Sequence, residues 1–165
     1  MKFQILTLLA LTFVFPSSAH AAKAELMNAQ DKKIGQAEFK EVKEGLQVSV
    51  KVSGLTPGFH GMHIHEKGVC APPDFKSAGG HFNPEGKKHG LGAPEGHHAG
   101  DLPDILAAGN GKGNVSFTAP DLSLNGKNAI LKPGGAALVI HAKFDDGHTD
   151  PSGNSGDRVA CGVIK

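Results

Sequence analysis

Imidazole is concentrated on one short stretch of this chain. His60, His63 and His65 fall within six residues, in "GFHGMHIHEKGVC" (58–70). Residues at i and i+2 of a strand share a face, so His63 and His65 project together while Ile64 points to the opposite face. A paired projection of this kind is a two-toothed start for a metal site. Seven of the ten histidines lie between residues 60 and 98, and His141 ends an apolar run far downstream. A solubilising tract would be compact and repetitive. Spacing over a strand, a loop and a distant strand fits ligands that converge in space.

The segment "HFNPEGKKHGLGAPEGHHAGD" (81–101) carries a second set. His81, His89, His98 and Asp101 follow one another at intervals of eight, nine and three. Three neutral imidazoles and a carboxylate suit a tetrahedral zinc. With four protein ligands the ion has no open position, which marks a structural or tuning site. His63, His65 and His141 then need a fourth partner. All-imidazole coordination suits copper, and one histidine can serve two metals through its two ring nitrogens.

The elements that must position these side chains are strands. "GLQVSVKV" (45–52) alternates Leu46, Val48, Val50 and Val52 with polar residues, the pattern of a half-buried strand. "IGQAEFKEV" (34–42) precedes it across a hairpin turn at 43–45. Further strands are expected at 59–66, 113–119, 128–132, 136–142 and 159–164, with a weaker first strand at 24–30 and a mobile tail before residue 24. Residues 67–101 and 143–157 break this rhythm and are rich in Gly, Pro, Asp and Lys. Long loops inside a compact domain are usually functional. The expected fold is all-β: an eight-stranded antiparallel sandwich or flattened barrel with two long functional loops.

Composition narrows the function classes. Net charge is +1, Trp and Tyr are absent and Phe numbers nine, so neither a basic nucleic-acid surface nor a base-stacking platform is expected. Lys2, the apolar run 3–15 and the small residues Ala19 and Ala21 read as a signal peptide, 1–21, ahead of one domain, 22–165. No membrane span is expected. The two cysteines, Cys70 and Cys161, read as one disulfide in an exported chain, worth about 4–5 kcal/mol in the chain-entropy picture.

Five separated motifs, "GFHGMHIHE", "AGGHFNPEGKKHG", "HHAGDLP", "LVIHAKFDD" and "GDRVACGVI", closely resemble the copper/zinc superoxide dismutases, in order, over about residues 24–165. That family is a known instance of the Greek-key sandwich. The resemblance implies superoxide disproportionation by a Cu(II)/Cu(I) cycle. It implies copper ligands His63, His65, His81 and His141, and zinc ligands His81, His89, His98 and Asp101, with His81 as bridging imidazolate. Arg158 matches the anion-guiding arginine, and Cys70–Cys161 the intrasubunit disulfide. Asp145 matches a carboxylate linking a copper-ligand histidine to a zinc-ligand histidine, with Asp146 the neighbouring candidate. His60 matches a backbone brace, in keeping with its parity opposite to His63. His97 stands beside His98 as an alternative register.

Charge-guided capture of superoxide is a well-known property of this family. Here the loop 143–157 holds Lys143 but also Asp145, Asp146, Asp150 and Asp157. Steering by that loop is therefore doubtful, and Lys87, Lys88 and Lys112 are the candidate substitutes. The resemblance leaves homodimer and monomer open, and the location is the periplasm or outside the cell. A copper-buffering carrier on the same fold is the alternative, but a carrier needs no anion-guiding arginine. A zinc hydrolase is disfavoured: there is no HExxH motif.

Overall fold

The computed structural model describes residues 21–165. The expected signal peptide therefore lies, but for Ala21, outside the described residues. Eight antiparallel strands form a closed barrel: β1 (Ala21–Asn28), β2 (Lys33–Val42), β3 (Gly45–Val52), β4 (Gly58–His65), β5 (Asp101–Ala107), β6 (Gly113–Ala119), β7 (Ala137–His141) and β8 (Arg158–Val163). The order around the barrel is β1-β2-β3-β6-β5-β4-β7-β8. Two seams are thin. β5 meets β6 through Ala107 and Gly113 alone, and β1 meets β8 through Met27 and Asn28. The barrel is thus a flattened one, two four-stranded halves (β1-β2-β3-β6 and β5-β4-β7-β8) closed at their corners.

The period-two pattern of β3 does what it predicts. Leu46, Val48, Val50 and Val52 face the interior and meet Phe39, Leu26, Met62, Ile64, Ile105, Leu138 and Ile140 there. β7 is buried at every residue. Leu138 and Ile140 enter the barrel core, while Ala137 and Val139 pack outward on a second cluster of Phe75, Ala78 and Cys161. The long β4–β5 loop covers β7 from outside, which is why this strand reads as one unbroken apolar run.

Three expectations need correcting. Residues 128–132 are not a strand. Ile130 and Leu131 donate to the Ser123 and Leu124 carbonyls within the β6–β7 loop. Leu122, Leu124 and Ile130 are fully or almost fully buried and plug one end of the barrel, so their apolar character is that of a stopper. Second, Pro103 interrupts the strand β5, which the residue pattern of 101–107 does not announce. The proline sits at a break in register opposite Gly61, between the pairs His60–Ile105 and Met62–Leu102, the kind of place a strand tolerates a missing N–H. Third, residues 21–23 are not a tail but the start of β1. Ala22 is buried against the core, and Lys23 exchanges two backbone hydrogen bonds with Lys165.

Candidate metal centre

Inward-facing Met62 and Ile64 fix the parity of β4 and turn His63 and His65 to the outside of the barrel wall. On neighbouring β7 the same alternation turns His141 outward. Both long loops then fold over this patch, so all three histidines are buried although they lie outside the barrel. His81 arrives from the β4–β5 loop and forms an isolated bridge with His65. The His63 and His81 rings stack at 3.8 Å, and His63 and His141 meet edge to face at 4.8 Å.

Four ring nitrogens in this cluster are buried without a hydrogen-bond partner: His63 Nδ1, His65 Nε2, His81 Nε2 and His141 Nε2. The opposite nitrogen of each ring is engaged. His63 Nε2–H donates to Asp145 Oδ2 at 2.6 Å, His65 Nδ1–H to the Gly79 carbonyl at 2.9 Å and His141 Nδ1–H to the Gly156 carbonyl at 3.1 Å. His81 Nδ1–H donates to Asp101 Oδ1 at 3.0 Å. An unpaired buried polar atom costs about 1–3 kcal/mol, and four that converge are what a metal would satisfy. Burial, then the neighbouring histidines, push His65 down to about 2, His141 to about 3 and His81 to about 4. These rings are neutral at physiological pH, the state in which a nitrogen lone pair is free to ligate.

A second convergence surrounds Asp101, the first residue of β5. His81, His89 and His98 each bring Nδ1 to the same oxygen, Oδ1, at 3.0, 3.1 and 3.2 Å. His98 Nδ1 also lies 3.3 Å from His81 Nδ1. A tetrahedral ion with ligand bonds of about 2.0 Å sets its ligand atoms about 3.3 Å apart, close to these four separations. Asp101 Oδ2 accepts from the Gly90 and His98 backbone N–H groups, which fixes the carboxylate. Burial works against its charge, but hydrogen bonds from His81 and His89 hold the pKa of its carboxyl far below the usual carboxylate range. Mutual proximity groups His63, rather than His98, with His81, His89 and Asp101. His63 gives its Nε2 to Asp145, however, whereas His98 has its Nδ1 on Asp101 itself.

Asp145 ties the two sets together. Its Oδ2 accepts from His63 and its Oδ1 from His89 Nε2–H at 2.9 Å and from the Gly147 N–H at 2.7 Å. Asp146 does something else: it caps the loop through the His148 and Thr149 N–H groups and Asn154. His97 turns away, its Nε2 3.5 Å from Asp121. His60 is buried at the base of the site with Nδ1 2.6 Å from the His141 carbonyl and Nε2 2.8 Å from that of Thr56.

Gly153 went unnoticed in the sequence, where it is one glycine of 23. Its φ is +60°, and a Cβ there would meet the Asp145 carboxylate and lie 2.7 Å from His89 Nε2. Gly153→Ala is expected to push Asp145 off His89 and lower zinc retention about tenfold or more. Zinc titration of the refolded variant checks this.

Arg158, half-buried at the start of β8, donates from its two terminal nitrogens to the Phe75 and Gly79 carbonyls, both at 2.7 Å. The Gly79 carbonyl also accepts from His65, so one atom joins the arginine to the imidazole cluster. Phe75 has φ +54° and a fully buried ring. Cys70 and Cys161 form a disulfide that ties this loop to β8, three residues past Arg158.

A flattened antiparallel barrel with two abutting His-rich donor sets on its outer wall defines a two-metal β protein. The model of the copper/zinc superoxide dismutase family matches residues 33–164. The chain belongs to that family. It is 50% identical over 147 residues to superoxide dismutase [Cu-Zn] 2 of Aquifex aeolicus, covering 87% of this chain and 86% of that one. A crystal structure of a SOD-like protein from Bacillus subtilis aligns with a TM-score of 0.83 at 46% identity, over 87% of this chain and 97% of that one. The Cu/Zn superoxide dismutase from Brucella abortus aligns with a TM-score of 0.76 at 33% identity, over 88% and 100%. Copper and zinc are accordingly the cofactors of this centre.

Proposed function

We propose that this protein disproportionates superoxide, with copper held by His63 Nδ1, His65 Nε2, His81 Nε2 and His141 Nε2. Zinc is held by Nδ1 of His81, His89 and His98 and by Asp101 Oδ1. The observation that carries the reading is the set of four buried, partnerless imidazole nitrogens, one of them on the ring that also faces the Asp101 group. When bound, copper supplies a one-electron Cu(II)/Cu(I) couple that turns two superoxide ions and two protons into dioxygen and hydrogen peroxide, while zinc does no redox chemistry.

The chain's own residues supply the rest. His81 presents Nε2 to one set and Nδ1 to the other, so Nε2 is the atom at which the site can hold a proton for the peroxide product. Arg158, braced by two carbonyls, offers a fixed guanidinium to a small anion. Asp145 fixes the tautomers of His63 and His89. Among the described residues no helix is long and apolar enough to cross a membrane. The disulfide fits an oxidising compartment. This supports removal of a signal peptide at Ala21 and residence in the periplasm or outside the cell. Superoxide consumption by copper- and zinc-loaded protein, against a zinc-only sample, tests the reading. A rate no greater than that of free copper overturns it.

The two sets differ in their protons. Burial opposes charge on His89, but Asp101 and Asp145 on either side raise it to about 10, so at neutral pH the metal-free site holds an imidazolium. Its favourable contribution to the metal-free fold is complete below about 6.5 and is lost as pH rises through about 10. Zinc binding must displace that proton, whereas His65, His81 and His141 are already neutral. Zinc is expected to release close to one proton at pH 7 and to bind more tightly as pH rises. Calorimetry in two buffers of different protonation enthalpy measures this, and zero release would contradict the assignment of His89.

A further inference from the structure

The ladder between β4 and β5 is interrupted once. His60 pairs with Ile105 and Met62 with Leu102, so Gly61 on one strand faces two residues, Pro103 and Asp104, on the other. This is a β-bulge, a device that re-aims side chains beside functional sites. Leu102 and Ile105 both enter the core although they are three residues apart. Pro103 and Asp104 are left outside it, exposed and half-buried respectively.

The β7–β8 loop, residues 142–157, docks on this gap. Gly61 N–H, left out of the β5 pairing, donates to the Lys143 carbonyl at 2.8 Å. Two residues on, the Asp145 N–H donates to the Asp104 carboxylate, 3.2 Å from Oδ2 and 3.4 Å from Oδ1. Phe144 between them is exposed. The lack of a side chain at Gly61 makes room for the loop: a Cβ there would lie 3.0 Å from the Ser155 Cβ and 3.4 Å from the Asp145 Cβ. Asp145 is thus held at two levels. Its carboxylate takes His63 and His89, and its backbone rests on a side chain of β5. Asp101, which gathers the other histidine donors, stands three residues earlier on that same strand. One strand therefore fixes both carboxylates around His89, Asp101 directly and Asp145 through Asp104. Burial, and then the nearby Asp145 charge, raise the pKa of the Asp104 carboxyl. What Asp104 offers at this point is an acceptor oxygen rather than a needed charge.

We propose that Asp104 is a positioning residue for the metal centre: it seats the Asp145 backbone on the bulge, and through Asp145 it orients the His89 ring. The inference rests on the zinc assignment above for its metal and on the chain of hydrogen bonds from Asp104 to Asp145 to His89 for its route. A carboxylate that orients a ligating histidine is effective only where its own place is fixed, and a seat on a strand is more exact than one within a loop.

The test compares the parent with Asp104→Ala and Asp104→Asn, each prepared metal-free and titrated with zinc, then with cobalt(II), whose visible bands report tetrahedral geometry. Asparagine keeps an oxygen for the Asp145 N–H, and alanine offers none. Asp104→Ala is expected to weaken zinc on the order of three- to tenfold, less than removal of the Asp145 carboxylate itself, and to shift and weaken the cobalt bands. Asp104→Asn should bind zinc within about twofold of the parent and reproduce the parent's cobalt spectrum. Melting of the metal-free proteins separates a seat from a prop. A residue that only stabilises the fold would lower the melting temperature in Asp104→Ala and leave zinc affinity and the cobalt bands unchanged, and that result would overturn the proposal. Zinc weakened as much in Asp104→Asn as in Asp104→Ala would overturn it too. A threefold or greater loss in the asparagine variant would do so even if the alanine variant failed to fold. A parent that gives no tetrahedral cobalt spectrum would instead overturn the zinc assignment on which the proposal rests.

Discussion

His141→Ala is expected to abolish copper-dependent superoxide consumption, by at least on the order of a hundredfold, while zinc binding persists. The separation follows from where the residue sits. His141 ends β7, is buried, and points only its Nε2 at the cluster; Nδ1 is spent on the Gly156 carbonyl. None of its atoms touches Asp101, which collects His81, His89 and His98 from the other side. Stability should divide the same way. In the metal-free protein the substitution removes a buried nitrogen that has no partner, a relief that offsets part of the packing lost. The metal-free variant and metal-free parent should therefore melt within a few degrees of each other. The added stability that copper confers on the parent, by binding only the folded state, should be absent from the variant. Scanning calorimetry with and without each metal reads both terms. A variant that still gains stability from copper and still consumes superoxide would remove His141 from the ligand set.

Legibility in the sequence tracked how local each constraint was. The β3 alternation could be read because one face meets core and the other water. The β4 parity could be read from the strand period alone, and it sufficed to put His63 and His65 on one face with Ile64 in the barrel. Ile130 could not be placed, because an apolar residue that plugs a barrel end and one that lies in a strand have the same local pattern. β5 was hidden by Pro103, whose tolerance depends on a register break with β4 that only the paired strand reveals. The donors themselves were visible as residue types. Their free nitrogens were not: that His63 leaves Nδ1 without a partner while His65 leaves Nε2 depends on which nitrogen Asp145 and Gly79 already occupy. Which lysine lies near Arg158 was illegible for a related reason. Lys76 lines a cavity beside Arg158 because the disulfide and the buried Phe75 draw that loop onto β8.

The second large effect belongs to Asp145, which binds no metal. Asp145→Asn is nearly isosteric, yet it is expected to cost about 10–100-fold in zinc affinity and a smaller factor at the copper set. The carboxylate has two acceptor oxygens, and each takes one ring: His63 on Oδ2, His89 on Oδ1. The Gly147 N–H also needs Oδ1. An asparagine that keeps its oxygen toward Gly147 and His89 turns an NH2 group onto His63 Nε2–H, donor against donor. The opposite rotamer sets that NH2 against both His89 and the Gly147 N–H. No orientation satisfies all three donors. Zinc should suffer more, because His89 loses the charge that, with Asp101, sets its basicity, and a less basic imidazole is a poorer ligand. The pH dependence distinguishes this account from simple loosening. With one flanking carboxylate gone, the proton on metal-free His89 should leave well below its present value near 10, so zinc binding at pH 7 releases less than one proton even as it weakens. If Asp145→Asn weakened zinc while proton release stayed the same, the carboxylate would act by packing alone, and the two metal sets would not be coupled through it.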